Sequence, residues 1–152
     1  MDSIWIQTAE RPRFAPLDRD LCTDVLIIGG GMAGVLCAYQ LAQAGADYAL
    51  VEADRIGSGI TKDTTAKINS QHGLVYDKLI REFGIETARL YLRANQEALG
   101  RFRELCSKID CDFEEKDAFV YSRNDRHKIE REVTAWERLG FPAAFASGLP
   151  LP

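Results

Sequence analysis

The chain has 152 residues with a formal net charge of −4, long enough for one domain with a sizeable core. Its acids and bases are interspersed, so no basic stripe points to nucleic acid and no polybasic cluster to anionic lipid. Its apolar runs are far shorter than the ~20 residues that cross a bilayer, and the N-terminus lacks a signal-peptide layout, so a cytoplasmic protein without a membrane role is expected.

Residues 1–23 mix Trp5, Pro12, Phe14 and Pro16 with charges and lack periodicity; they are expected to form an extended arm lying on a folded body. From Asp24 the pattern becomes regular. Asp24–Ile28 reads as a strand that ends in glycines spaced G-x-G-x-x-G, at Gly29, Gly31 and Gly34. Gly29 allows a tight turn, Gly31 removes a Cβ that would block a phosphate, and Gly34 allows close helix–sheet packing. A helix from about Met32 to Ala44 follows, with Val35, Ala38, Tyr39 and Ala42 expected inward and Gly45 at its C-terminus. Its N-terminus offers free N–H groups and a partial positive charge to a pyrophosphate.

Asp47–Glu52 reads as the second strand, so 24–52 makes a β-α-β unit of the ~30 residues that the dinucleotide fingerprint requires. Glu52 stands at the end of that strand, where an acid accepts hydrogen bonds from an adenosine ribose. A carboxylate there repels a 2′-phosphate, which favours FAD or NAD over NADP despite Arg55 nearby.

Residues 54–67 are rich in glycine and threonine and read as a loop; Thr61 and Asp63 are either caps of a following helix or ligand contacts. His72, in Gln71-His72-Gly73, either faces a ligand or lies on the surface. A short helix from about Val75, with Leu79, Ile80 and Phe83 on one face, ends at Gly84. A longer amphipathic helix is expected over about 86–108, its stripe formed by Ala88, Tyr91, Ala98, Leu99, Phe102, Leu105 and Ile109, with Glu97–Arg101 and Glu104–Lys108 pairs on the solvated face. Residues 111–114 and 118–122 are expected to pair as a short β-hairpin. Asn124 or Asp125 then caps a helix carrying Ile129, Val133, Trp136 and Leu139 that stops at Gly140. The residues through Leu149-Pro150-Leu151-Pro152 carry no signal that closes a domain. The cysteines Cys22, Cys37, Cys106 and Cys111 form no C-x-x-C pair and His72 and His127 lie far apart, so no metal site is expected; Cys37 and Cys106 are read as small packed hydrophobes.

Thr23–Gly34, Val51-Glu52-Ala53, Thr64-Thr65-Ala66-Lys67 and Gln71-His72-Gly73 together resemble the FAD-dependent oxidoreductases of the D-amino-acid oxidase superfamily, in particular the bacterial branch whose members often carry a C-terminal Rieske iron–sulfur domain. The resemblance spans nearly the whole chain, from Ser3-Ile4-Trp5 through the expected hairpin. It implies an α/β fold with a Rossmann-like FAD-binding segment over 24–75, after the arm at 1–23, and the start of a substrate domain over 76–152. It also implies that Gly29, Gly31, Met32, Ala33 and Gly34 hold the FAD pyrophosphate and that Glu52 with Ala53 holds the adenosine side. The loop at Gly59, Thr61, Thr64, Thr65, Ala66 and Lys67 would then run past the pyrophosphate toward the flavin, followed by Gln71, His72 and Gly73. Many relatives have glycine where this chain has Lys62, a departure that bears on the loop's backbone. Lys67 and His72 are candidates for tuning the flavin, and no catalytic residue is assigned.

Family members are several hundred residues long, so the chain is expected to be the N-terminal portion of a longer protein, without the Cys-x-His pair of a Rieske site. The expected function is oxidation of a small amine or amino-acid-like substrate by hydride transfer to FAD. An NAD-dependent dehydrogenase domain and a non-catalytic nucleotide-binding fragment are the alternatives.

Overall fold

The computed structural model describes residues 3–146 and 148. The expectation for 149–152 therefore lies outside the described residues. The chain divides into two compact units, Met1–Lys67 and Ile68–Pro152.

In the first unit, β1 (Val25–Ile28) and β2 (Tyr48–Val51) form a two-stranded parallel sheet, joined by helix α2 (Met32–Gln43). The register pairs Val25 with Tyr48 and Ile28 with Val51. Gly29 N–H extends the ladder by donating to Val51 O at 2.8 Å. Alternation along β1 leaves Val25 and Ile27 half-buried and turns Leu26 and Ile28 outward. Helix α2 meets this narrow sheet through Gly34, Leu36, Ala38 and Leu41, which are half-buried. Of the positions expected inward only Ala38 is covered; Val35, Tyr39 and Ala42 are exposed, and so is Cys37, which is not the packed hydrophobe expected. Two four-residue strands offer one helix too little surface to cover a wide apolar stripe.

The arm is not wholly extended. Helix α1 (Ile4–Thr8) forms one turn and is pinned to the loop after β2: Ser3 Oγ bonds to Lys62 O, and Trp5 Nε1 donates to Thr64 O at 2.9 Å.

In the second unit, helix α3 (Tyr76–Cys106) packs against helix α4 (Arg126–Leu139). Gly84, at φ 81° and ψ 163°, breaks α3 where the sequence ends its short helix. The core between the two helices consists of Tyr76, Ala88, Leu92, Ala135, Trp136 and Leu139. Tyr76 and Trp136 meet edge to face, with centroids 4.9 Å apart, a favoured aromatic geometry. Of the expected stripe, Ala88 is buried and Leu99, Phe102 and Leu105 are half-buried, as is Cys106; Tyr91, Ala98 and Ile109 are exposed. Lys108 reaches Glu104 at 2.7 Å, whereas Glu97 and Arg101 form no ion pair among the described residues. Helix α4 has Asp125 at its N-cap position, without the side-chain cap bond expected there, and ends at left-handed Gly140.

The expected hairpin is absent: residues 112–121 contain no strand. Two short segments form a stable ribbon only against a third strand or a packed face, and here Phe113, Phe119 and Tyr121 remain exposed. Asp112 at φ 50° bends the chain, and Arg103 ties it to α3 through a two-pronged bond to Glu115.

Candidate functional site: a glycine turn latched to Glu52

Strand β1 delivers the chain into Gly29 at φ 109°, a conformation that disfavours any side chain. The next constraint is steric. A Cβ on Gly34 would lie 1.9 Å from Gly29 O, so only glycine lets α2 start this close to the strand it follows. A Cβ on Gly30 would lie 2.4 Å from Ile56 Cδ1 and 3.2 Å from Glu52 Cβ. Gly30 lies between the signature glycines and escaped the sequence reading; its signal is the unbroken triplet Gly29-Gly30-Gly31 before a helix.

Glu52 latches this turn. Its Oε2 accepts from Gly30 N–H at 2.6 Å and its Oε1 from Asp54 N–H at 3.1 Å. These amides hold the carboxyl below its ordinary range, chiefly that of Gly30, then those of Asp54 and Ala53. Glu52 is exposed, and each carboxylate oxygen has a second lone pair, so the acid is fixed, ionised and able to accept further donors. Gly57 N–H adds a bond to Gly30 O at 2.9 Å, which joins the loop after β2 to the same turn.

At the start of α2, the N-cap residue is Gly31, which has no side chain of its own to cap the helix. The first amides of any helix lack intrahelical acceptors, and that of Met32 donates to Thr61 Oγ1 at 3.0 Å. Thr61 lies in a 3-10 turn, Ile60–Asp63, which Gly59 precedes. It therefore accepts at the glycine turn while keeping its own hydroxyl hydrogen for another acceptor. Met32 and Ala33 are exposed beside it. Lys62 adopts ordinary negative-φ backbone in this turn, so the position does not demand a glycine.

The structure thus brings together Gly29, Gly31, Met32, Ala33, Gly34, Glu52 and Thr61. Ala53 follows the acid and is exposed. Further along, Thr64 carries the contact with Trp5, and its hydroxyl accepts from Ala66 N–H at 3.3 Å. Ala66 has φ 52°, while Thr65 and Lys67 are exposed. Gln71, His72 and Gly73 belong to the second unit. There His72 Nε2 lies 3.2 Å from Asn95 Oδ1 on α3, Gln71 is half-buried, and Gly73 has φ 77°.

In the second unit, Glu132 is 3% exposed and its two oxygens accept from Tyr76 N–H at 2.8 Å and Asp77 N–H at 3.0 Å. A side chain from α4 thus caps the start of α3. The sequence carried the signal, because Glu132 falls among Ile129, Val133 and Trp136 on the apolar side of α4.

Residues 24–148 match the family model described as FAD dependent oxidoreductase. The chain is 38% identical over 155 aligned positions to the "Putative Rieske 2Fe-2S iron-sulfur protein YhfW" of Bacillus subtilis, covering 99% of this chain and 30% of that protein. It is 31% identical over 139 positions to the gamma-glutamylputrescine oxidoreductase of Escherichia coli, covering 87% of this chain and 32% of that protein. The chain thus spans about a third of the length of these curated relatives. No solved structure matches it. With its glycine turn, its acid at the end of β2 and a family match over most of its length, the chain belongs to the FAD-dependent oxidoreductases of the D-amino-acid oxidase superfamily.

Proposed function

We infer that the chain is the FAD-binding portion of a flavin-dependent oxidoreductase that oxidises a small amine or amino-acid-like substrate by hydride transfer to FAD. The observation that carries this reading is the latched turn, in which Glu52 holds Gly30 N–H at 2.6 Å and remains exposed and ionised. Glu52 and Ala53 would hold the adenosine ribose side of a Rossmann-like site. Gly29, Gly31, Met32, Ala33 and Gly34 would hold the pyrophosphate, where a helix N-terminus favours negative charge. Thr61, already accepting from Met32 N–H, would donate its hydroxyl hydrogen to a phosphate oxygen. Gly59, Thr64, Thr65, Ala66 and Lys67 would continue the site toward the flavin, with Gln71, His72 and Gly73 after them. In this reading 24–75 is the FAD-binding segment and 76–152 begins a substrate domain. FAD, when bound, supplies the hydride acceptor.

The amine class is supported by the likeness to an enzyme named for gamma-glutamylputrescine. A Rieske iron–sulfur domain in the full-length protein is supported by the likeness to a protein bearing that name. The test mixes the flavin-loaded full-length protein, without oxygen, with gamma-glutamylputrescine, simple diamines and D- and L-amino acids. Bleaching of the flavin absorbance by an amine is expected. Bleaching by none of these amines, with reduction by NADH instead, would overturn the reading.

A further inference from the structure

The loop that carries Thr61 is gripped from two sides within the first unit. On one side it meets the glycine turn: Thr61 Oγ1 accepts from Met32 N–H at 3.0 Å, and a Cβ on Gly31 would touch that oxygen at 3.4 Å. On the other it meets helix α1, whose Ser3 hydroxyl donates to Lys62 O and whose Trp5 indole N–H donates to Thr64 O at 2.9 Å. The bonds inside the loop are local, Lys62 N–H to Gly59 O and Ala66 N–H to Thr64 Oγ1; they shape its turns without fixing its place.

Two details set α1 apart from a tail with packing anchors. Ser3 stands at its N-cap, where a serine oxygen ordinarily accepts from the helix's own amides, yet it makes no cap bond and turns its hydroxyl to Lys62 O. Five residues are too few for a helix to persist alone, so α1 and the loop hold each other in place. Both groups that α1 captures are backbone carbonyls. A trans peptide places its N–H opposite its C=O, so seating Thr64 O on Trp5 sends the Thr65 N–H to the other side. Thr65 is exposed, and no described residue accepts that N–H. The arm therefore draws partial negative charge toward itself and leaves two donors, the Thr61 hydroxyl and the Thr65 N–H, for a ligand.

We propose that α1 is part of the cofactor site: Ser3 and Trp5 are positioning residues that hold the Thr61 loop against the glycine turn, so that its donors meet the FAD pyrophosphate. This assignment rests on the flavin reading above.

The test follows FAD release from the loaded full-length protein. Trp5 is 41% exposed, so Trp5→Phe keeps an aromatic ring, removes the donor and leaves the core intact. Trp5→Phe and Ser3→Ala should each speed release about three- to tenfold, the size of one lost neutral hydrogen bond, and Ser3→Thr should restore the wild-type rate. Thr8→Ala removes a bond inside α1, Thr8 Oγ1 to Ile4 O at 2.8 Å, without touching the loop, and should leave release unchanged. In the flavin-free protein, Trp5→Phe should speed hydrogen exchange at Met32 N–H, because its acceptor sits on the loosened loop. Release at the wild-type rate in Trp5→Phe or Ser3→Ala, an equal effect from Thr8→Ala, or unchanged exchange at Met32 would overturn the proposal and leave the flavin reading standing. A wild-type protein that takes up no FAD would overturn both.

Discussion

Substituting Gly34 by alanine tests whether the glycine turn is dictated by sterics. The added Cβ would stand 1.9 Å from Gly29 O, a backbone atom that does not swing aside like a side-chain tip, and 3.4 Å from Ile27 Cγ2. Restoring ordinary contact moves α2 away from β1 by about 1 Å, and overpacking of that kind costs roughly 1–3 kcal/mol, occasionally more. Alanine's better helix propensity returns at most about 1 kcal/mol. A net loss of about 1–2 kcal/mol is expected, seen as a lower urea midpoint and faster hydrogen exchange in α2 and β1. Gly100 supplies the control: it lies inside α3 with nothing within 4 Å of its built Cβ, so Gly100→Ala should stabilise by about 0.5–1 kcal/mol. If both substitutions act alike, or Gly34→Ala leaves exchange in α2 unchanged, the steric reasoning fails.

Further outcomes follow from other contacts. Glu132→Ala strips the acceptor from two N–H groups at the start of α3 and should destabilise the second unit by about 2–3 kcal/mol in urea unfolding; a loss below about 0.5 kcal/mol would show that water replaces the carboxylate. Burial, with smaller contributions from Tyr91 and Glu132, pushes the Tyr76 phenol up to about 12 from 10. The raised value in the fold means that its stabilising effect is complete below pH 10 and is lost as pH rises toward 12. An absorbance titration of the phenolates should therefore end in a late step that Tyr76→Phe removes. For Glu52 the sign is opposite: its lowered value means that the latch contributes above the ordinary 4.5 and is lost as pH falls through the lower folded value. Carboxyl-carbon resonances should titrate with a midpoint below 4.5 for Glu52, and a midpoint at or above it would contradict the latch.

The glycine turn was legible in the sequence because backbone sterics leave few alternatives: Gly29 needs its positive φ and Gly34 has no room for a Cβ. Glu52 was legible through its spacing, although its grip on Gly30 N–H was not, since a hydrogen-bond partner depends on how the turn folds back over the strand end. Gly84 and Gly140 marked helix ends for the same local reason. Less was legible where the outcome depends on what packs against a segment. Periodicity placed Val35, Tyr39 and Ala42 inward, but a two-stranded sheet covers little of α2. Alternation at 111–122 suggested strands, yet no packed face stabilises them. Glu132 was overlooked because an acid on an apolar helix face makes sense only once the N-terminus of α3 lies over it.

Flavin release is the most direct test of the central claim. The chain, or the full-length protein containing it, is saturated with FAD, freed of excess, denatured, and the released nucleotide is identified and counted. The account predicts one FAD per chain, reduced strongly by Glu52→Gln, which weakens the acceptor at the ribose side, and little by Gly100→Ala. Retention of NAD with no FAD, or equal FAD retention in Glu52→Gln, would contradict it.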